Sequence, residues 1–184
     1  MKNNQLIKSL FIGLVLFIAF TLSNNAQAQY NPYDNGSNIV TIGVGASGWG
    51  VPIYASLEIP VADNITAGGI LSYQSYSNRY STFKYRHTIF GIGVLGNYHF
   101  NELLQISDEW DVYAGLTLGY YIWNSKYDGS GSSVDYSGPE SSGIGLGAQL
   151  GGRYFFKDNL AVNVEVGGGY TALSNGKVGL SIFF

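Results

Sequence analysis

The sequence has no cysteine, only 4 prolines and few charged residues, which make up 11% of the chain. Without cysteine, disulfides, thiol chemistry and a lipid-modified N-terminal cysteine are excluded. The charged fraction is less than half of the roughly 25% that is usual in soluble domains. The formal net charge is −3, so the basic surface of a nucleic-acid-binding protein is lacking and no nucleic-acid partner is expected.

Glycine and aromatic residues are abundant instead. The chain has 26 glycines, about twice the usual share of roughly 7%. Aromatic residues make up 15% of the sequence, and 46% of all residues are hydrophobic, which excludes a disordered chain. A length of 184 residues suits one domain.

The N-terminal segment has the three regions of a signal peptide. Lys2 and Lys8 precede an apolar run over residues 10–22, and the small residues Ala26 and Ala28 follow. The apolar run is too short for a membrane-spanning helix, which needs about 20 residues. We predict a signal peptide over residues 1–28 with cleavage after Ala28, and export of residues 29–184.

The exported part alternates between apolar and small or polar residues with a period of two, which is typical of β-strands. From Val51 to Val61 the alternation has no exception. The pattern predicts eight strands, near residues 38–47, 51–61, 65–76, 84–100, 110–123, 143–156, 160–170 and 177–184. Soluble sandwiches and lipocalin-like barrels alternate in the same way, so the period alone does not identify the outer face.

Three features favour lipid on the apolar face. The opposite face is mainly Gly, Ser, Thr and Asn, which would line a narrow barrel better than it would form a solvated surface. Short connections near 62–64 and 157–159 alternate with long ones near 77–83 and 124–142, as in outer-membrane barrels. Aromatic residues on the apolar face gather at strand ends and predict two interfacial girdles: Phe100, Trp110, Phe156 and Phe184 in one, and Tyr73, Tyr120 and Tyr170 in the other.

These features predict an all-β fold, an eight-stranded antiparallel up-and-down transmembrane β-barrel. Only closure satisfies every backbone polar group in lipid, so eight strands must form a barrel there. The expected location is the outer membrane of a Gram-negative bacterium, with outer-membrane lipid as a partner and the barrel as a monomer. The outer ends of the long fourth and fifth strands should stand above the membrane.

The last strand carries a pattern of its own. Lys177, Gly179, Ile182 and Phe184 occupy the places of the polar, glycine, hydrophobic and terminal aromatic residues in a motif that resembles the C-terminal signal of bacterial outer-membrane barrels. The resemblance implies that the barrel-insertion machinery recognises this strand. It also implies that this strand closes the barrel against the first one.

A longer resemblance covers the whole exported chain. The segment 154–168 is similar to the penultimate hairpin of the small outer-membrane barrels that include OmpX-like and OmpA-barrel-like proteins. The family hosts unlike functions, so it implies the fold more strongly than an activity.

Six charged or titratable residues share the inward-facing parity: Glu58, His99, Asp111, Arg153, Glu165 and Lys177. They could form an ion or proton path, or a network of ion pairs that plugs the lumen. Eight-stranded interiors are usually filled by side chains, and a buried orphan charge costs several kcal/mol or more, which favours the plug. We predict that Arg153 pairs with Glu58, with Glu165 or with both.

The residues do not predict an enzyme. A lipid-deacylating barrel needs a His–Ser pair on the lipid-facing side, whereas His87 and His99 both have inward parity. No catalytic, cofactor-binding or metal-binding residues are predicted.

Tyrosine, serine and glycine in the loops 77–83 and 124–142 suit either recognition of an extracellular ligand or simple solvated connection. The favoured function is a structural or surface-interaction barrel with a narrow or occluded lumen; a porin-like, low-conductance pore is the alternative, and a lipid-modifying enzyme a remote one.

Overall fold

A computed structural model describes residues 36–48, 50–80, 83–128, 142–169 and 176–184. The predicted signal peptide with Ala26 and Ala28, and the predicted girdle residue Tyr170, lie outside these residues. The eight strands are β1 (Ile39–Ala46), β2 (Ile53–Ala62), β3 (Ile65–Tyr80), β4 (Phe83–His99), β5 (Trp110–Asp128), β6 (Gly143–Lys157), β7 (Leu160–Gly169) and β8 (Gly176–Phe183).

The strands form one closed antiparallel barrel in chain order. Each strand pairs with the next, and β8 closes the barrel by pairing with β1 from Ile39–Phe183 to Ala46–Gly176. Closure leaves no sheet edge, so the ladder can satisfy the backbone polar groups without water. The predicted eight-stranded up-and-down barrel is confirmed.

Period-two alternation gives the barrel an inverted polarity. Large apolar side chains point outward and are exposed, for example Val94 at 61%, Leu116 at 59% and Ile144 at 71%. The inward face buries charged and polar side chains instead, and Asp111 is 0% exposed. A soluble domain buries its apolar face, so this distribution is the reverse of the usual one.

The two ends of the barrel differ. At the end that we call the short-turn end, the chain turns at Asp63–Asn64, between β4 and β5, and at Asp158–Asn159. The β4–β5 connection contains one turn of helix, α1 (Asn101–Leu104), which ends at Gln105 in a left-handed conformation. No helix in the described parts of the chain is long and apolar enough to span a membrane.

At the opposite end, which we call the extended end, three strands reach further than the sequence predicts. Strand β3 continues to Tyr80, β4 starts at Phe83 and β5 continues to Asp128, so most of the predicted loop 77–83 is strand. Residues 75–80 are polar or aromatic on both faces and therefore lack the apolar alternation that marks a strand. Full backbone pairing with β4, and of β4 with β5, forms the strand there nonetheless. Residues 129–141 of the predicted loop 124–142 are outside the described residues.

Strand β2 accommodates its two prolines at its ends. Pro52 precedes the strand, and its carbonyl accepts a hydrogen bond from the Gly45 amide at 2.7 Å. The register with β3 shifts between Pro60 and Ala62. Because proline has no amide proton to donate to the ladder, a strand end and a bulge are the places where it is tolerated.

Candidate functional site in the barrel lumen

Arg153 on β6 is the centre of the buried charges. Its Nη2 donates to Glu58 Oε1 on β2 at 2.6 Å, and its Nη1 donates to Asp111 Oδ2 on β5 at 2.9 Å. The three side chains are at most 3% exposed. The guanidinium carbon also lies 4.4 Å from the centre of the Tyr113 ring. One cation is thus held between two carboxylates and an aromatic face, all shielded from bulk water.

His99 and Thr66 complete a closed ring of hydrogen bonds with these residues. His99 Nδ1 lies 2.8 Å from Asp111 Oδ1, and His99 Nε2 lies 3.0 Å from the Thr66 hydroxyl oxygen. The Thr66 hydroxyl donates to Glu58 Oε2 at 2.8 Å. Because Glu58 is also a partner of Arg153, the ring of contacts is closed. Asn97 also donates to Glu58 Oε2, at 2.9 Å. We call Glu58, Thr66, Asn97, His99, Asp111 and Arg153 the lumen ring.

Donor and acceptor counts fit this arrangement. A carboxylate only accepts hydrogen bonds, and the single hydroxyl proton of Thr66 points to Glu58. Each nitrogen of His99 lies within hydrogen-bond distance of an oxygen of this network, Asp111 Oδ1 for Nδ1 and the Thr66 hydroxyl for Nε2.

A second cluster lies beside the lumen ring. The Lys177 ammonium contacts Glu165 Oε1, and the Tyr113 hydroxyl donates to Glu165 Oε2 at 3.0 Å. Asn163 Nδ2 donates to the same hydroxyl at 2.5 Å, and the Tyr54 hydroxyl donates to Asn163 Oδ1 at 3.2 Å. Tyr113 joins the two clusters, because its ring faces Arg153 while its hydroxyl binds Glu165.

The structure brings all six predicted charged residues together in these two clusters, and Arg153 has one of the two partners that were predicted for it. Arg153 pairs with Glu58, as one of the predicted options has it, and with Asp111, whereas Glu165 pairs with Lys177. Asp111 is directly opposite Arg153 in the β5–β6 register, and Glu165 is directly opposite Lys177 in the β7–β8 register. Direct opposition on neighbouring strands brings side chains closest, so these pairs form in preference to the diagonal Arg153–Glu165 pair.

Sequence analysis missed the uncharged members of both clusters: Tyr54, Thr66, Asn97, Tyr113 and Asn163. All five share the inward parity of the charged residues, and this parity was the available signal. Their roles depend on which strands face each other across the lumen, which the sequence pattern does not give.

Inward-facing glycines accommodate large side chains rather than leaving space for water. A Cβ placed on Gly151 would lie 2.2 Å from the Tyr113 ring, and a Cβ on Gly179 would lie 2.8 Å from the Tyr54 hydroxyl. Both distances are far below van der Waals contact, so these glycines make room for the two tyrosine side chains in the lumen.

Apolar side chains occupy the lumen at other levels. Tyr54, Ile70 and Leu95 form a buried apolar cluster, and Ile39, Ala161 and Phe183 form another at the short-turn end, packed against Phe155. Toward the extended end, Ile89 and Tyr121 pack with Tyr76 and Trp123. The charged clusters are thus flanked by apolar layers. An ion that entered such a layer would lose its hydration shell without gaining polar contacts in return.

The predicted girdle residues that the structure describes lie at the two rims of the outer surface. At the short-turn end Trp110, Phe156 and Phe184 are 47%, 46% and 65% exposed, while Phe100 is half-buried with its ring 5.0 Å from that of Tyr98. Trp110 also contacts Tyr154, with ring centres 4.8 Å apart. Toward the extended end Tyr73 and Tyr120 are 47% and 46% exposed.

The four residues of the C-terminal pattern do not act together in the lumen. Lys177 and Gly179 face inward, where Lys177 binds Glu165 and Gly179 contacts Tyr54. Ile182 is half-buried on the outward-facing side, and Phe184 is exposed at the short-turn end. The backbone of Phe184 exchanges two hydrogen bonds with Asn38, at 2.8 and 3.0 Å, which extends the β1–β8 closure by one pair.

Comparisons with known proteins support the fold. No family model and no curated protein matches the chain. The N-terminal β-barrel domain of Pseudomonas aeruginosa OprF superposes with a TM-score of 0.52 at 14% identity, over 81% of this chain and 98% of that one. The fold is that of the small eight-stranded outer-membrane barrels.

Two further solved structures are similar at lower scores. Neisserial surface protein A matches with a TM-score of 0.49 at 17% identity, over 80% of this chain and 95% of that one. The attachment invasion locus protein Ail of Yersinia pestis, solved with the heparin analogue sucrose octasulfate, matches with a TM-score of 0.44 at 14% identity, over the same shares.

Within the described residues, no group of three or more His, Asp or Glu side chains is arranged to hold a metal ion. The series Asp111–His99–Thr66 has the order of a carboxylate, imidazole and hydroxyl relay. However, the Thr66 hydroxyl donates to Glu58, and Thr66 is only 1% exposed. In this arrangement the buried charged and polar groups bind one another, and the Thr66 hydroxyl is not an exposed nucleophile.

Proposed function

We propose that the chain is a small integral outer-membrane β-barrel of a Gram-negative bacterium, with an occluded lumen and a structural or surface-interaction role. The observation that carries the proposal is the inverted polarity of the barrel. From Tyr98 to Phe90, the outward residues of β4 are apolar or glycine over nine positions, which is the length of a spanning strand. In water such a surface would expose far more contiguous apolar area than a soluble monomer does.

The filled lumen supports the structural role over the low-conductance pore. The lumen ring pairs Arg153 with both of its carboxylates, and the apolar cluster of Tyr54, Ile70 and Leu95 adds a layer that disfavours hydrated ions. Interiors of eight-stranded barrels are generally filled by side chains.

We expect no discrete current steps when the purified mature protein is inserted into planar bilayers. The physical reason is the paired charges and packed rings that occupy the lumen. Single-channel recording checks this, with a Tyr54→Ala/Tyr113→Ala variant as the control, because it removes both rings and is expected to pass current. Discrete steps from the unmodified protein, with its folded gel mobility retained, would establish the pore instead.

The extended end is the part that we propose faces outward from the cell, because β3, β4 and β5 project there beyond their neighbours. A surface partner would bind this projection.

We also propose that residues 1–28 are removed during export, by cleavage after Ala28 in the segment Ala26-Gln-Ala28. The mass of the protein purified from outer-membrane fractions gives the N-terminus and checks this proposal.

We propose that the insertion machinery recognises β8 through its outward aromatic end. Phe184→Ala is expected to lose most of its assembly in the outer membrane of cells, while refolding into detergent micelles is nearly unchanged. The backbone pair with Asn38 is retained in this variant, so only the side chain is tested. The measurement is the amount of heat-modifiable barrel in outer-membrane fractions.

The matched control is Phe156→Ala, which removes another exposed rim aromatic from β6. It is expected to assemble as the unmodified chain does. Equal losses in both variants would mean that the girdle, and not a C-terminal signal, needs the aromatic residue.

A further inference from the structure

The connection between β4 and β5 differs from its two neighbours at the short-turn end. The β2–β3 and β6–β7 connections are tight polar turns, at Asp63–Asn64 and Asp158–Asn159. The β4–β5 connection is longer and contains α1, in which Leu103 and Leu104 are 67% and 59% exposed. None of the four residues of α1 is buried, so the two leucines do not pack into the barrel.

Hydrogen bonds fix α1 to the strands around it. The Val112 amide donates to Asn101 Oδ1 at 3.0 Å, and Asn101 Nδ2 donates to the Trp110 carbonyl. Asn64 in the β2–β3 turn donates from its Nδ2 to Glu102 Oε2 at 2.6 Å. Single exposed leucines are common on protein surfaces, but two adjacent ones on a turn that is held from both sides indicate an apolar partner.

The two leucines are continuous with the aromatic rim of the outer surface. Phe100 directly precedes α1, and Trp110 begins the next strand, with its ring centre 4.8 Å from that of Tyr154. Leu103 is three residues beyond Phe100 in the chain. Spanning barrels place such aromatic residues where the hydrocarbon ends and the headgroups begin. The exposed leucines therefore lie next to the level that this rim would mark in a bilayer.

We propose that Leu103 and Leu104 insert into the inner leaflet of the outer membrane, and that α1 anchors the short-turn end to zwitterionic phospholipids. The inference rests on the proposed membrane location and orientation. Interfacial segments bind by burying apolar side chains at the boundary between headgroups and acyl chains. Residues 101–109 include Glu102, Asp108 and Glu109 but no Lys or Arg, so an anionic headgroup would be repelled and a zwitterionic one would not.

The test uses nitroxide labels, which can be placed at single positions because the chain has no cysteine. Leu103→Cys is compared with Asp63→Cys, an exposed position in the polar β2–β3 turn at the same end. Electron paramagnetic resonance measures how often each label collides with oxygen, which concentrates in hydrocarbon, and with a water-soluble nickel chelate. In phosphatidylcholine vesicles, the oxygen-to-nickel ratio is expected to be several-fold higher at Leu103→Cys than at Asp63→Cys.

A second variant tests whether the neighbouring leucine contributes to this insertion. With Leu104→Ser added, the ratio at Leu103→Cys is expected to fall toward that of Asp63→Cys. Because the same label is present throughout, its own apolar character does not explain the difference. Added phosphatidylglycerol is expected to lower the ratio at Leu103→Cys.

Three results would overturn the inference. The first is an equal ratio at Leu103→Cys and Asp63→Cys. The second is a Leu103→Cys label that is exposed to nickel in vesicles but shielded in isolated outer membranes, which would assign the leucines to a protein partner. The third is a high ratio that needs phosphatidylglycerol. A label at Leu116→Cys, in the middle of β5, separates these from a wider failure: its exposure to nickel would overturn the proposed membrane location itself, and this inference with it.

Discussion

Arg153→Met is expected to lower the free energy of unfolding by about 3–5 kcal/mol, because it leaves two buried carboxylates without their shared cation. Glu58 and Asp111 lie on different strands, and Arg153 is the residue that bridges them. Methionine keeps most of the side-chain volume, so the loss reports the charge rather than a cavity. The measurement is a urea titration of the mature barrel in phosphatidylcholine vesicles, followed by tryptophan fluorescence and by gel mobility.

A triple variant, Glu58→Gln/Asp111→Asn/Arg153→Met, tests whether unpaired charge causes the loss. Removing all three charges together is expected to restore most of the stability, because replacing a whole buried ion-pair set is far less costly than breaking it. Lys157→Met at the exposed rim is the single-cation control and is expected to stay within about 0.5 kcal/mol of the unmodified chain. If Arg153→Met unfolds at the same urea concentration as the unmodified barrel, the carboxylates are hydrated and the lumen ring is not a structural element.

The inward positions of these residues could be predicted from the sequence, whereas their partners could not. Strand parity alone places Glu58, Asp111 and Arg153 on the same side of the sheet. The Asp111–Arg153 pair was also within reach, since the two residues are directly opposite in the register of one hairpin. The Glu58–Arg153 pair joins β2 to β6 across the lumen, and it depends on the stagger of the strands around the whole barrel.

The ends of the long strands at the extended end were the other feature that hydrophobic periodicity could not predict. The prediction ended the third strand near Tyr76 because apolar alternation ends there, yet β3 continues to Tyr80. Backbone hydrogen bonds to β4 stabilise this extension, and they do not depend on which side chains are apolar. A hydrophobic pattern reports contact with lipid or with a core. It therefore does not detect a strand that contacts neither.

A substitution on the outer face has the second large expected effect, and the size of this effect distinguishes a membrane barrel from a soluble one. Leu116 is 59% exposed at the middle of the apolar stretch of β5 that runs from Trp110 to Ile122. In lipid, Leu116→Arg is expected to lower the free energy of unfolding by about 2–4 kcal/mol, the cost of a cation near the midplane of the bilayer. In water, the same exposed substitution would change stability by no more than about 0.5 kcal/mol.

The measurement is again urea unfolding in phosphatidylcholine vesicles, and Ser75→Arg is the matched control. Ser75 is exposed on the same outward face, two residues beyond Tyr73, and its neighbour across the β3–β4 pairing, Thr88, is also polar. An arginine there can reach water or lipid phosphate, so its effect should be near zero, or about 1 kcal/mol at most. A Leu116→Arg variant as stable as the Ser75→Arg variant would mean that β5 does not cross the hydrocarbon core. The apolar outer face would then need another partner, such as a second protein surface.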